Sequence, residues 1–282
     1  GAPAKLTDTR TAEFRARSWV EPQYVQVPST HSAGNIHAKL YRPAQLQPGK
    51  KYPVVMFVHG AGYLQNVSSR YPNYFREQMF NNMLVQQGYI VLDMDYRASE
   101  GYGRDWRTAI YRQMGHPELD DYIDGVDWMV ANHQGDVAKV GIYGGSYGGF
   151  MAFMALMRAP ERFVAGAALR PVSDWVTYNH EYTSNILNTP ELDPEAYKIS
   201  SPIEFADQLR GLKGRFLMSI NDVPEIRSLF SWARIEPVTT TIECGPAVDA
   251  TSLMAEIIAS ATGESDWGAA ATPPRRRSDS RW

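Results

Sequence analysis

The sequence predicts an α/β fold built on a mostly parallel, doubly wound sheet. Three observations carry that expectation: continuous apolar runs, amphipathic stretches that alternate with them, and a glycine-flanked serine at one strand-to-helix junction. Val54 to Val58, Tyr89 to Asp93, Val137 to Tyr143 and Val164 to Leu169 are largely apolar throughout, as strands covered on both faces are. Tyr74 to Gln87, Leu119 to His133 and Phe150 to Arg158 separate them, with apolar residues at helical spacing. Such alternation predicts parallel strands joined by right-handed crossovers. Ahead of this region, Tyr24 to Val27 and Ile36 to Tyr41 flank a Ser-Thr-His-Ser-Ala-Gly-Asn turn, which predicts an antiparallel pair at the outer edge of the sheet.

Further along, Asn179 to Leu209 holds Pro190, Pro194 and Pro202 among short helical pieces. It reads as an excursion that helps build a substrate pocket before the next strand, Arg215 to Ile220. After Asp222 the texture changes to Thr-Thr-Thr, Ala-Ser-Ala-Thr and a closing Pro-Pro-Arg-Arg-Arg-Ser-Asp-Ser-Arg-Trp. One amphipathic helix is expected there, Ser252 to Ala259, and the last stretch reads as a solvated, disordered terminus. The expected organisation is a lead-in over 1–20, an α/β domain over 21–222 and an atypical C-terminal segment over 223–282.

Composition excludes several functions. The 282 residues are 44% hydrophobic and 21% charged with a net charge of -3, so there is no electrostatic case for nucleic acid. A single cysteine, Cys244, excludes an internal disulfide and leaves the compartment open. No apolar run approaches the roughly 20 residues that span a bilayer, and Gly1 to Arg17 lacks the apolar core of a signal peptide. The acidic stretch Glu118 to Asp127 is expected to be a solvated helix face, and the Met151, Met154 and Met157 stripe to be core. With no phosphate loop, dinucleotide fingerprint or metal-ligand cluster, no cofactor is expected.

The chemistry centres on Gly144-Gly145-Ser146-Tyr147-Gly148. A G-x-S-x-G sequence between strand and helix is a nucleophile elbow, whose sharp turn lifts the serine hydroxyl above the sheet. It makes Ser146 the candidate nucleophile and predicts an α/β-hydrolase fold. Serine needs a base, an orienting acid and donors for a developing oxyanion. The donors expected are the Tyr147 amide and the small-residue loop His59-Gly60-Ala61-Gly62, which ends the strand Val54 to Val58. In this fold acid and then histidine follow the serine in the chain, yet no histidine follows His180.

Four segments carry a family resemblance. Tyr-Pro-Val-Val-Met-Phe-Val-His-Gly-Ala-Gly, Asp-Tyr-Arg-Ala-Ser-Glu-Gly-Tyr-Gly, Gly-Gly-Ser-Tyr-Gly-Gly-Phe and Pro-Val-Ser-Asp-Trp occur in order. Over Ala12 to Lys213 the chain resembles the prolyl oligopeptidase family of serine peptidases, nearest its dipeptidyl peptidase and acylaminoacyl peptidase branches. The resemblance implies a catalytic domain acting on short peptides, normally preceded by a β-propeller that this chain does not encode. It implies Ser146 as nucleophile, the Tyr147 amide in the oxyanion hole, and Trp175, Tyr178 and Tyr182 as the pocket for a proline or alanine side chain. Where the dipeptidyl branch places an oxyanion-binding tyrosine, this chain has His59. Asp222 falls at the place of the triad acid, and the histidine expected near Thr251 to Glu256 is absent. An altered reading frame or assembly error after Lys213 is the preferred account, with a divergent natural terminus as the alternative. An esterase of the same fold and a peptide-binding pseudoenzyme are the competing functional readings.

Overall fold

The computed structural model describes residues 7–211, 215–221, 223–243 and 249–260. In chain order the elements are α1 (Ala12–Ala16), β1 (Gln23–Pro28), β2 (Asn35–Tyr41), β3 (Tyr52–Val58), α2 (Phe75–Gln86), β4 (Ile90–Met94) and α3 (Arg104–Thr108). They continue with α4 (Pro117–Asn132), β5 (Gly135–Gly145), α5 (Tyr147–Arg158), β6 (Ala165–Leu169), α6 (His180–Leu187) and α7 (Pro194–Ser200). A 3-10 helix, Pro202–Gly211, leads into β7 (Arg215–Asn221), α8 (Pro224–Leu229), β8 (Arg234–Glu243) and β9 (Asp249–Ser260).

One nine-stranded sheet runs β1-β2-β4-β3-β5-β6-β7-β9-β8. Its centre, β4 through β7, is parallel; β1 and β2 are antiparallel at one edge, and β9 and β8 at the other. The continuous apolar runs are the central strands, and all five residues of β4 are buried, but β6 is not covered on both faces as its apolar run suggested: Ala165, Ala167 and Leu169 are exposed. Helix α5 is buried from Tyr147 to Met157, so the elbow stands on the helix most deeply embedded in the core. The methionine stripe, Met151, Met154 and Met157, is in that core as expected. On the opposite face, Phe57, Tyr143, Val85 and Val91 form a smaller cluster beneath α2.

Two expectations are corrected. Ser252 to Ala259 is not a helix but part of β9, paired antiparallel with β7 from Arg215↔Ser260 to Asn221↔Met254. Local apolar spacing in a short segment is a weak signal, and the open edge of β7 offers backbone partners that override it. Nor is the acidic stretch of α4 solvated throughout: Asp120 and Asp127 face solvent, but Glu118 and Asp121 are fully buried and Asp124 nearly so. Each has partners that sequence spacing does not reveal. Asp121 accepts from the Arg97 amide and Nε at 2.7 and 2.8 Å, Asp124 accepts from Thr30 Oγ1 at 2.6 Å, and Glu118 accepts from the Gly115 amide at 2.9 Å. The closing arginine-rich stretch and Cys244 lie outside the described residues.

Candidate active site

Ser146 sits between the end of β5 and the first turn of α5 with φ 57° and ψ −116°, a left-handed conformation that a serine adopts only when its surroundings impose it. Its amide donates to the Leu169 carbonyl at 2.9 Å, and its own carbonyl accepts from the Phe150 amide at 2.9 Å. The flanking glycines are required by close backbone approach. A Cβ at Gly144 would lie 2.5 Å from the Val58 carbonyl oxygen, and one at Gly148 only 2.2 Å from it.

The loop after β3 closes over the serine. A Cβ at Gly60 would meet Ser146 Cβ at 3.9 Å, and the loop turns through two left-handed residues, Ala61 at φ 60° and Gly62 at φ 62°. Buried polar groups tie it down: the Asn66 and Val67 amides donate to Asp95 at 2.8 and 3.0 Å, and Tyr102 Oη donates to the same carboxylate at 2.8 Å. Ser146, Gly60, Ala61, Tyr74, Glu77, Tyr143, Leu169 and Arg170 line a cavity of ≈ 320 Å³ beside the nucleophile.

Each expected donor has a definite place. As the first residue of α5, Tyr147 has an amide with no intrahelical acceptor, directed past the helix end. The Gly60 amide is already engaged, donating to Tyr74 Oη at 2.7 Å. His59 is turned away from the cavity. Its fully buried ring lies 4.3 Å from that of Tyr96, with Nδ1 2.9 Å from the Gly60 carbonyl and Nε2 3.0 Å from Ser99 Oγ. Burial holds it neutral, with a pKa lowered to about 4. It therefore braces the loop instead of facing the serine.

Trp175, Tyr178 and Tyr182 form one cluster of rings. Trp175 lies edge-on to Tyr178 at 5.3 Å and stacked with Tyr182 at 6.1 Å; the two tyrosines meet at 5.9 Å. Trp175 is 1% exposed, behind the tyrosines, whereas Tyr178 is exposed. The cluster also reaches the loop over the serine, because a Cβ at Gly62 would lie 3.1 Å from Tyr182 Oη.

Asp222 lies outside the described residues. All six histidines are described. His31 pairs with Asp124 at 3.2 Å, His37 stacks on Tyr102 at 5.1 Å, His116 meets the Ile199 carbonyl at 3.0 Å, and His133 packs on Trp128 at 4.4 Å. His180 opens α6 on the exposed surface. Among the described residues no imidazole is hydrogen-bonded to Ser146, and no cluster of three metal-ligating side chains occurs.

Sequence reasoning missed Tyr74, Glu77 and Arg170 in the cavity, and Glu118 beneath Tyr147. No motif marks them, since each reaches the site through tertiary packing.

A strained, glycine-flanked serine between the central parallel strand and a buried helix, covered by a second glycine-containing loop, defines an α/β-hydrolase. The Prolyl oligopeptidase family profile matches residues 75–222, and the chain belongs to that family of serine hydrolases. It is similar to dipeptidyl peptidase 8 of Mus musculus and of Homo sapiens, each 34% identical over 186 residues, covering 65% of this chain and 20% of theirs. It is also similar to the crystal structure of Porphyromonas gingivalis dipeptidyl peptidase 4, with a TM-score of 0.63 and 30% identity over 72% of this chain and 28% of that one. The chain thus spans about a fifth of the length of the dipeptidyl peptidase 8 relatives. Among the described residues no helix is long and apolar enough to cross a membrane.

Proposed function

We propose that this site is a serine-type peptidase site for short peptides, with Ser146 as nucleophile and with turnover limited by the lack of a triad histidine in the chain. The observation that carries the reading is the left-handed Ser146 facing a cavity it shares with the Gly60–Ala61 loop. In the reaction, Ser146 Oγ bonds to the scissile carbonyl carbon, the C–N bond breaks, the amine leaves with a proton, and water hydrolyses the resulting ester. The developing oxyanion is held by the Tyr147 amide and the Tyr74 hydroxyl. Tyr74 takes the place expected of the Gly60 amide, which polarises it by donating to its oxygen. Tyr178 and Tyr182, with Trp175 behind them, offer a rigid aromatic wall suited to a compact apolar side chain such as proline or alanine. The names of the dipeptidyl peptidase relatives support peptides as the substrate class.

In this reading Asp222 is the acid, residues 21–222 form the hydrolase domain, and a β-propeller precedes that domain in the full-length protein. The serine proton has no imidazole acceptor, and losing a triad histidine costs about a million-fold in kcat in a serine protease. A second reading, a pseudoenzyme that binds peptides without cleaving them, is favoured by the engagement of His59 and His116 elsewhere. Intact-mass labelling with a fluorophosphonate, beside Ser146→Ala, tests the first. Slow labelling confined to the parent chain, with peptide turnover above that of the variant, supports a weak peptidase. Peptide binding without labelling or turnover sinks it in favour of the second, and ester turnover without peptide turnover would point to an esterase.

A further inference from the structure

Beneath the elbow lies a carboxyl group that the reaction does not use. Glu118, in the first turn of α4, is fully buried. One of its oxygens accepts the Gly115 amide at 2.9 Å, and the other accepts the Tyr147 hydroxyl in a short hydrogen bond. Tyr147 in turn touches the elbow, the loop over it and the aromatic cluster. Its amide belongs to the elbow, and its ring is the surface on which Gly62 rests: a Cβ at Gly62 would meet Tyr147 Cε2 at 3.1 Å. The same ring packs against Trp175 at 5.8 Å, Phe150 at 5.0 Å and, nearly parallel, Tyr96 at 6.1 Å.

We propose that Glu118 is a positioning residue that, through the Tyr147 ring, sets the nucleophile elbow, the loop over it and the aromatic pocket as one unit. A tyrosine ring packed among other rings can still rotate and slide; a hydrogen bond at its far end from a helix-borne carboxylate fixes its plane. The two donors aimed at Glu118 suit its ionised form. Protonation places a hydrogen on one oxygen, and when that is the oxygen facing Tyr147, the hydroxyl must give up donating and turn.

The surroundings make this proton exchange reachable near neutrality. The groups facing Glu118 are Tyr147 from α5, Tyr182 from α6, Tyr96 from the segment after β4, and Asp121 and Tyr122 of its own helix. None is a cation. Arg97 is committed to Asp121 at 2.8 Å, and His116 to the Ile199 carbonyl at 3.0 Å. Burial raises the Glu118 pKa to about 7, against the lowering effect of the Tyr147 and Gly115 hydrogen bonds.

The inference deepens the peptidase reading, but its test needs neither substrate nor turnover. The whole chain, labelled with ¹⁵N in glycine, tyrosine and tryptophan, is titrated by NMR while the Tyr147 amide, the Gly62 amide and the Trp175 indole are followed. In the parent chain all three resonances are expected to move together with one midpoint near 7. Glu118→Gln keeps the shape but cannot ionise, and Tyr147→Phe removes only the hydroxyl. Both are expected to abolish the shared titration for the resonances they retain, while Asp121→Asn preserves it. A parent chain in which the three resonances stay flat or move with unrelated midpoints would overturn the proposal, as would a shared titration that survives in Glu118→Gln. If Glu118→Gln does not fold, Tyr147→Phe decides alone: a titration of Gly62 and Trp175 that persists without the hydroxyl overturns it. Failure of the peptidase reading would leave these resonances unaffected, so the two can fail separately.

Discussion

The two flanks of Ser146 are built differently. On the side of β3, α4 and α6, buried groups hold each part: Asp95 and His59 hold the loop over the serine, Glu118 holds Tyr147, and the ring of Trp175 backs the tyrosines. On the side of β6, the strand lies in the middle of the sheet yet exposes Ala165, Ala167 and Leu169 on one face, while Ala168 is 3% exposed on the other. The cavity beside Ser146 opens near that same flank, at Leu169 and Arg170. In this fold the acid and the base come after the nucleophile in the chain. In the proposed reading the nucleophile, its donors and its pocket belong to the furnished flank, and the sparse one is where the remaining chemistry would have to be supplied.

Adjacent residues of β6 give the sharpest way to break that contrast. Ala168→Asp would bury an unpaired charge in the main core and is expected to cost about 4 kcal/mol. Ala167→Asp, one residue away on the opposite face, is expected to change stability by less than about 0.5 kcal/mol. Urea denaturation of the two variants measures both. Similar losses would mean that the exposed face is covered in solution, and the asymmetry would fall.

A second test is the pH dependence of the furnished flank. Burial raises Glu118 from 4.5 to about 7 and Asp121 from 3.8 to about 7, the latter in spite of Arg97. The folded state holds these protons where the unfolded chain has already released them. Their contribution is therefore fully present below the unfolded values and is lost as pH rises to about 7. For Glu118 the change is of order 3 kcal/mol. Chemical denaturation at several pH values should show stability falling over that interval, with a shallower fall in Glu118→Gln. An equal slope in the variant would remove Glu118 as the cause.

These two tests mark where sequence reading succeeded and where it could not. The central strands and the elbow were legible because their signals are local: continuous apolar runs, and glycines flanking a serine where the Val58 carbonyl leaves no room for a Cβ. The aromatic trio was singled out through the family resemblance, which could not show that Trp175 would lie buried behind Tyr178 and Tyr182. Glu118 was misread because an acidic helix face looks solvated until Tyr147 and Gly115 are brought against it from elsewhere in the chain. Tyr74 was unreadable for the same reason, since its contact with Gly60 is made by the packing of α2. Ser252 to Ala259 failed as a helix because pairing with β7 is a property of the sheet, not of the segment.

Within the elbow, Gly148→Ala tests whether its tight geometry is as strict as the contact implies. A Cβ there would lie 2.2 Å from a backbone oxygen that no rotamer change can move. The expected cost is about 2–3 kcal/mol, within the range for overpacking that shifts backbone, read as a lower denaturation midpoint with an unchanged slope. A loss below about 1 kcal/mol would mean that the β3–α5 contact is looser than described.

The smallest effect expected bears most directly on the sparse flank. If the serine is correctly turned and lacks only a proton acceptor, a base supplied from solution should partly restore its reactivity. Imidazole is small enough to enter a cavity of ≈ 320 Å³ beside Ser146. A positioned general base contributes roughly 10²–10⁴-fold, and a freely diffusing one forfeits most of that through lost orientation. Added imidazole is therefore expected to raise fluorophosphonate labelling by about tenfold, with saturation at high imidazole and no effect on Ser146→Ala. A rise that grows linearly without saturating would indicate base catalysis from bulk solvent and deny the cavity a role. No rise, in a folded sample with intact pH-dependent resonances at Tyr147, would mean that the serine itself is not set for attack, and the contrast between the flanks would lose its mechanistic meaning.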